Sequence, residues 1–300
     1  GMAAARLQWR ALPGLRPAAF AASAGCRGLA GQAPSAAGEP LVVYGRPSSS
    51  NTQKVLWLLE EAGLPYKLVL ASARVGSGSE LLCGRTGGQP FGVVNTPEYR
   101  RLNPHGAIPT LCDPRAGDGL GVVWESHSVV RYLARAYLPA WLGGSALAQA
   151  RAEMWMDWVL GPGDHEGTSF ASANHTFIDQ VARTPPGERD AGAVAEAHRV
   201  YATMLSKAED MLGDRRFLAG DEPSVADVPL AVELNRWSLC AHTLRRDGAE
   251  LAVPRWPGLA AYYDRLLSRP GFLAGVYRPE AGHQRLDEAT GPLRLAGQDS

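Results

Sequence analysis

Strand-forming runs stop partway along this chain. As far as Trp124, short β-rich stretches alternate with helical spacing; beyond residue 145 no strand pattern recurs. This asymmetry is the strongest constraint on the fold. The first part must build a sheet covered by helices, and the second must bury its apolar faces helix against helix.

In the first part, Leu41-Val42-Val43-Tyr44 is a β-rich run ended by Gly45 and Pro47. The polar cluster Ser48-Ser49-Ser50-Asn51 follows. Val55, Leu56, Leu58, Leu59 and Ala62 then recur at helical spacing, with a serine or Asn51 as N-cap and Gly63 near the end. Residues 66–70 read as a second strand. One short helix between two strands predicts a parallel pair. Residues 72–95 are Gly- and Ser-rich, and the stretch 76–89 reads as an inserted loop. Thr96-Pro97-Glu98 opens a short helix. Ile108-Pro109-Thr110-Leu111 and Gly121-Val122-Val123-Trp124 form a hairpin, and Ser126 caps a helix running through Tyr137. The fold class expected is an α/β domain over 41–137 followed by an all-α helical bundle over 146–279.

Residues 138–144 read as a linker. The second domain holds about five helices: 147–158, a stretch to about 182, 191–212, one opening at Ser224-Val225-Ala226-Asp227, and 258–267. Ser224 with Asp227 reads as a capping box. Residues 280–300 form a polar tail. Residues 1–40 carry Arg6, Arg10, Arg16 and Arg27 with no acid before Glu39, the pattern of a transit peptide or else a disordered extension. That pattern points to mitochondrion or plastid; without it the expectation is cytoplasmic.

The chain balances 30 basic against 30 acidic residues, which gives no electrostatic footprint for nucleic acid. No apolar run is long enough to span a bilayer, so no membrane partner is expected. Cys26, Cys83, Cys112 and Cys240 lack metal-ligand or CxxC spacing, and His165, His175, His198 and His242 share no ligand pattern. No metal is expected.

Four features remain: the serine cluster after the first strand, Asn103-Pro104-His105-Gly106-Ala107-Ile108-Pro109 before a strand, Trp124-Glu125-Ser126 at a strand-to-helix turn, and the capping box. Singly, each has a structural reading as a cap, an edge proline or a solvated turn. Together, in this order, they resemble a cytosolic-type glutathione transferase of the serine type. The likeness covers about residues 41–277. Trp155-Met156-Asp157-Trp158, Gln53-Lys54-Val55-Leu56-Trp57, Arg183-Thr184-Pro185-Pro186 and Pro223-Ser224-Val225-Ala226-Asp227-Val228-Pro229-Leu230 are similar to bacterial-type members.

The resemblance implies a thioredoxin-like first domain, glutathione as co-substrate, a small hydrophobic electrophile and a homodimer. It places the catalytic hydroxyl at Ser49, with Asn51 as rival and Ser50 as a further alternative. It implies a cis Pro109, with Ile108 pairing the cysteinyl backbone, and Glu125 and Ser126 holding the γ-glutamyl end. Ala107 departs from the family, which often has Lys, Arg or Gln there for the glycyl carboxylate; Gln53, His105 or Arg101 are the candidates to compensate. Phe91, Trp155, Trp158 and Trp237 are the candidate electrophile pocket. The activity implied is conjugation of glutathione to electrophiles, involved in detoxification. Glutathione-dependent peroxidase or disulfide-bond reductase is the alternative, and a non-catalytic ligand-binding or assembly module the third reading.

Overall fold

The computed structural model describes residues 39–72, 92–117, 121–161, 163, 168–248 and 254–277. The expected transit segment, the 76–89 insertion, Phe91 and the 280–300 tail lie outside the described residues.

Strand β1 (Leu41–Gly45) alternates buried and half-buried residues, the pattern of a strand with one face on the core. Helix α1 (Ser50–Glu61) packs on it, and strand β2 (Tyr66–Leu70) returns parallel, with Leu41 opposite Tyr66. Helix α2 (Pro97–Leu102) starts at a Thr96 cap with proline in its first turn. Strands β3 (Thr110–Cys112) and β4 (Val122–Trp124) form the expected antiparallel hairpin, and β3 pairs antiparallel with β1. The sheet order is β2-β1-β3-β4. Helix α3 (Ser126–Tyr137) closes this half. The order strand, helix, strand, helix, two strands, helix is the thioredoxin-like arrangement that the sequence implied.

Ser126 is not the cap of α3. Glu125 occupies that position, without a side-chain cap bond, and at φ 69° it is the one described non-glycine residue with positive φ. The hairpin's strand-to-helix corner is tight enough to force this conformation, which L side chains rarely adopt. The expected linker also differs: Pro139–Trp141 makes one helical turn, and Trp141 and Leu142 are buried.

The second half is all helix: α4 (Ala146–Leu160), α5 (Phe170–Phe177), a π-helical stretch Ile178–Arg183, α6 (Ala191–Leu212), α7 (Asp227–Arg246), α8 (Pro257–Leu267) and α9 (Pro270–Gly275). That is six α-helices among the described residues rather than five. The addition is α9, whose proline and glycines disguise it. Helix α7 is the axis of this half, with nearly every residue buried. Half of the expected box forms: Asp227 accepts the backbone N–H of Ser224 at 2.8 Å and that of Leu218 at 2.9 Å, but the helix starts at Asp227 itself, with Ala226 in the cap position and Ser224 Oγ accepting from the Ala226 N–H. No helix among the described residues is long and apolar enough to cross a membrane.

Helix α1 joins the halves. Leu56 and Leu59 are fully buried in the core, and Trp57 stacks edge-on with Phe272 of α9 and with Trp141. The helix is covered on both sides, and residues 52–59 are all buried, Thr52, Gln53 and Lys54 among them.

Candidate functional site

The N-terminus of α1 opens onto a cleft of about 300 Å³ between the two halves. Gly45 lies so close to Thr52 that a Cβ there would meet Oγ1 at 2.6 Å, so only glycine lets α1 start at this point. Ser49 is the N-cap: its oxygen accepts the Thr52 N–H at 3.4 Å, and its carbonyl accepts the Gln53 N–H at 2.9 Å. As an acceptor toward the helix, the Ser49 hydroxyl keeps its proton for a ligand in the cleft. Ser50 Oγ accepts from Asn174 Nδ2 at 3.4 Å. Asn51 Oδ1 accepts from Ser126 Oγ at 3.2 Å and Lys54 Nζ at 3.0 Å, tying the starts of α1 and α3 together.

The Ile108–Pro109 peptide is cis. The Tyr99 hydroxyl donates to the Ala107 carbonyl at 2.6 Å and Asn103 Nδ2 to the same oxygen at 3.0 Å, so the turn is anchored just ahead of Ile108. The β3–β4 ladder begins only at Thr110, which leaves Ile108 as free edge backbone ahead of it. Glu125 is exposed and Ser126 buried at the corner beside Asn51. Ser49, Ser50 and Asn51 line the cleft, and Ser126 reaches Asn51 from α3.

Other expected residues lie elsewhere. Gln53 faces away: it is 1% exposed, and its Nε2 donates to the Val276 carbonyl at 3.2 Å in the contact of α1 with the end of the helical half. Four residues past the cap, Gln53 lies in the buried run of α1, and its direction is set by the contact with Val276. His105 is exposed and held through its backbone N–H on Asn103 Oδ1, while Arg101 pairs with Glu98 at 3.9 Å. The tryptophans do not line this cleft. Trp155 and Trp158 meet edge-on at 5.7 Å, Trp158 packs on Phe170, and Trp237 packs on Trp256. They build the helical core, the ordinary fate of large aromatics. Trp158 borders a different cavity, with Met204 and Lys207. The apolar wall facing the serine run is instead Val159, Leu160, Ala171 and Ile178.

Four charged residues of the cleft were not anticipated: the half-buried Asp179, and Lys54, Glu233 and Arg236. The last three are buried. Lys54 lies 3.2 Å from His127 Nε2. Burial pushes the Lys54 ammonium down, with Glu233 opposing the shift. Burial, together with Lys54 and Arg131, pushes His127 down to about 2, so the imidazole is neutral and Nε2 accepts from Lys54. No group of His, Cys, Asp and Glu among the described residues could hold a metal.

A cap hydroxyl at a helix N-terminus, free strand-edge backbone before a cis proline and a polar corner can together seat an extended peptide carrying an anionic sulfur. Known proteins resemble the whole chain. The glutathione S-transferase N-terminal domain family matches residues 48–136, and the C-terminal domain family matches 191–265. Glutathione S-transferase GstB of Escherichia coli K12 is 29% identical over 241 residues, spanning 80% of this chain and 99% of the relative. Disulfide-bond oxidoreductase YfcG of the same organism is 25% identical over 242 residues, spanning 79% and 95%. The glutathione-bound crystal structure of the theta class glutathione S-transferase from Xanthomonas axonopodis pv. citri superposes with a TM-score of 0.62 at 32% identity, covering 79% of this chain and 97% of that one. Both halves match in order and nearly the whole of each relative is covered: this chain belongs to the glutathione S-transferase family.

Proposed function

We propose that the chain is a glutathione transferase in which Ser49 activates the thiol. The observation that carries this is the Ser49 hydroxyl, set at the N-terminus of α1 and opening on a cleft with an apolar wall. Only the thiolate attacks well, and glutathione's thiol is mostly protonated at neutral pH. Lowering its pKa by two units takes about 2.7 kcal/mol. A hydrogen bond donated to the charged sulfur and a helix N-terminus together supply that much. The thiol proton leaves to solvent. The thiolate then forms a carbon–sulfur bond with an electrophile held against Val159, Leu160 and Ile178, and the leaving group departs with its electron pair. Ile108 would pair the cysteinyl backbone, and Glu125 and Ser126 would take the γ-glutamyl end. The assembly expected is a homodimer.

Ser49→Ala is expected to lower glutathione-dependent turnover of chlorodinitrobenzene by about 10- to 100-fold, one to two units of thiol pKa. Ser48→Ala leaves it within a few fold. Full activity in Ser49→Ala would exclude this assignment.

A second reading, a glutathione-dependent disulfide-bond reductase or peroxidase, is favoured by Asn51. Its amide oxygen already takes two hydrogen bonds, from Lys54 and Ser126, which orients its NH₂ group as a donor. YfcG, a relative, bears a disulfide-bond oxidoreductase name. Parallel assays with an aryl halide, a small disulfide and cumene hydroperoxide separate the two. Greater kcat/KM for the disulfide, lost in Asn51→Ala but kept in Ser49→Ala, would favour the second.

A further inference from the structure

Two buried cations grip the serine run from opposite sides. Arg236 of α7, 2% exposed, donates from Nη2 to the Ser48 carbonyl at 2.7 Å. Lys54 of α1, 4% exposed, donates from Nζ to Asn51 Oδ1 at 3.0 Å. The residues that flank Ser49 and Ser50 are therefore each held by a cation, one from each half of the molecule.

These charges are poorly compensated. Nε and Nη1 of Arg236 are buried with no hydrogen-bond partner among the described residues. Glu233, one turn earlier on α7 and 5% exposed, is the buried carboxylate of the cleft, and the Tyr201 hydroxyl already donates to its Oε2 at 2.6 Å. The titratable and charged groups lining the cleft are Lys54 from α1, His175 from α5, Asp179, and Glu233 and Arg236 from α7; behind them His127, with Arg131 near it, meets Lys54, and Tyr201 meets Glu233. His127 is held neutral, and burial holds the Tyr201 hydroxyl protonated. Two buried cations thus share the cleft with one buried carboxylate, Glu233, and the half-buried Asp179. An arrangement with excess buried charge is unfavourable until an anion arrives.

We infer that Lys54 and Arg236 are positioning residues for the glutathione sulfur: they fix residues 48–51 so that the Ser49 hydroxyl meets it, and their charge holds it as thiolate. This rests on the transferase reading above. The ammonium and guanidinium need not touch the sulfur, because in a low-dielectric cleft a charge acts over several ångströms. The thiol proton leaves to solvent and no further co-reactant is required.

The test follows thiolate ultraviolet absorbance of the full chain saturated with glutathione, titrated with pH. The variants are Arg236→Met, Arg236→Gln, Arg236→Lys, Lys54→Met and Lys54→Arg, with thermal melts alongside. Arg236→Gln keeps a donor for the Ser48 carbonyl and serves if Arg236→Met does not fold. The charge-free variants are expected to raise the bound thiol's pKa by about one unit, a tenfold loss of thiolate below it. Arg236→Lys and Lys54→Arg restore more than half of that shift. A purely structural role would lower the folded fraction and leave the midpoint in place. A wild-type midpoint in the folded charge-free variants overturns the inference, as do equal shifts in charge-free and charge-keeping variants. Ordinary titration of glutathione bound to the wild-type chain instead overturns the transferase reading beneath it.

Discussion

The Ser49 oxygen serves as helix cap and, in the proposed reaction, as thiol donor. Removing it costs about 1 kcal/mol of helix stability through the lost cap, along with the turnover loss predicted above. If capping were its only role, Ser49→Gly, which spares most of the cap energy, would keep activity; the account predicts that Ser49→Gly is nearly as stable as the parent and as inactive as Ser49→Ala, read by melts and initial rates. Glu125 makes the reverse case. Its φ of 69° is disfavoured for any L side chain. Glu125→Gly is expected to leave the melting temperature unchanged or slightly raised while KM for glutathione rises about tenfold, about 1.4 kcal/mol of a lost charged contact. An unchanged KM would remove Glu125 from the site. The cap was legible in the sequence because capping is local: a polar run directly before apolar helical spacing. Gln53, four residues beyond the cap, was misplaced because its direction depends on α9, more than 200 positions away. Arg236 escaped for the same reason, since Ser48 lies 188 positions distant.

At the level of elements, the six-residue helix α9 (Pro270–Gly275) decides how firmly α1 is held. Gly275 sits on the α1 backbone, where a Cβ would lie 2.5 Å from Trp57 N. Arg269 forms a two-pronged pair with Glu61 at 2.7 and 2.8 Å, and Glu61 also accepts from Trp57 Nε1. Gly275→Ala is therefore expected to destabilise by about 1–3 kcal/mol through overpacking, seen as a lower urea midpoint. Because α1 carries Ser49, a looser α1 also weakens glutathione binding; an unaltered midpoint would show that α9 is not the clamp described here. Nothing in the composition of Pro270–Gly275 announced a helix. Proline and two glycines in six residues read as a turn, and tertiary contact with α1 outweighs that local preference. By contrast, β2 and α6 were legible to the residue, each an uninterrupted pattern bounded by punctuating residues.

For the whole molecule, the buried pair Lys54–His127 makes stability depend on pH. His127 titrates near 6.5 when unfolded and is pushed down to about 2 by burial and its cationic neighbours. Its contribution is complete above pH 6.5 and is lost as pH falls, because only the unfolded chain takes up the proton. The loss is about 1.4 kcal/mol per unit, about 2 kcal/mol by pH 5. Urea melts at pH 7 and 5 should show that drop in the parent and a shallower one in His127→Gln; equal drops would place the acid sensitivity elsewhere. At this scale the division into a sheet-bearing half and a helical half was legible from where strand patterns end. The lining of the cleft was not, because a tryptophan that packs a core and one that lines a cleft look alike in sequence; the apolar residues that line it beside the serine run are Val159, Leu160, Ala171 and Ile178. The central claim concerns one atom in the cleft that the two halves form, and a crystal structure with glutathione bound tests it most directly. The account predicts the sulfur within hydrogen-bonding distance of Ser49 Oγ and the cysteinyl backbone paired with Ile108. A sulfur resting on Ser50 or Asn51, or glutathione bound away from the start of α1, would contradict it.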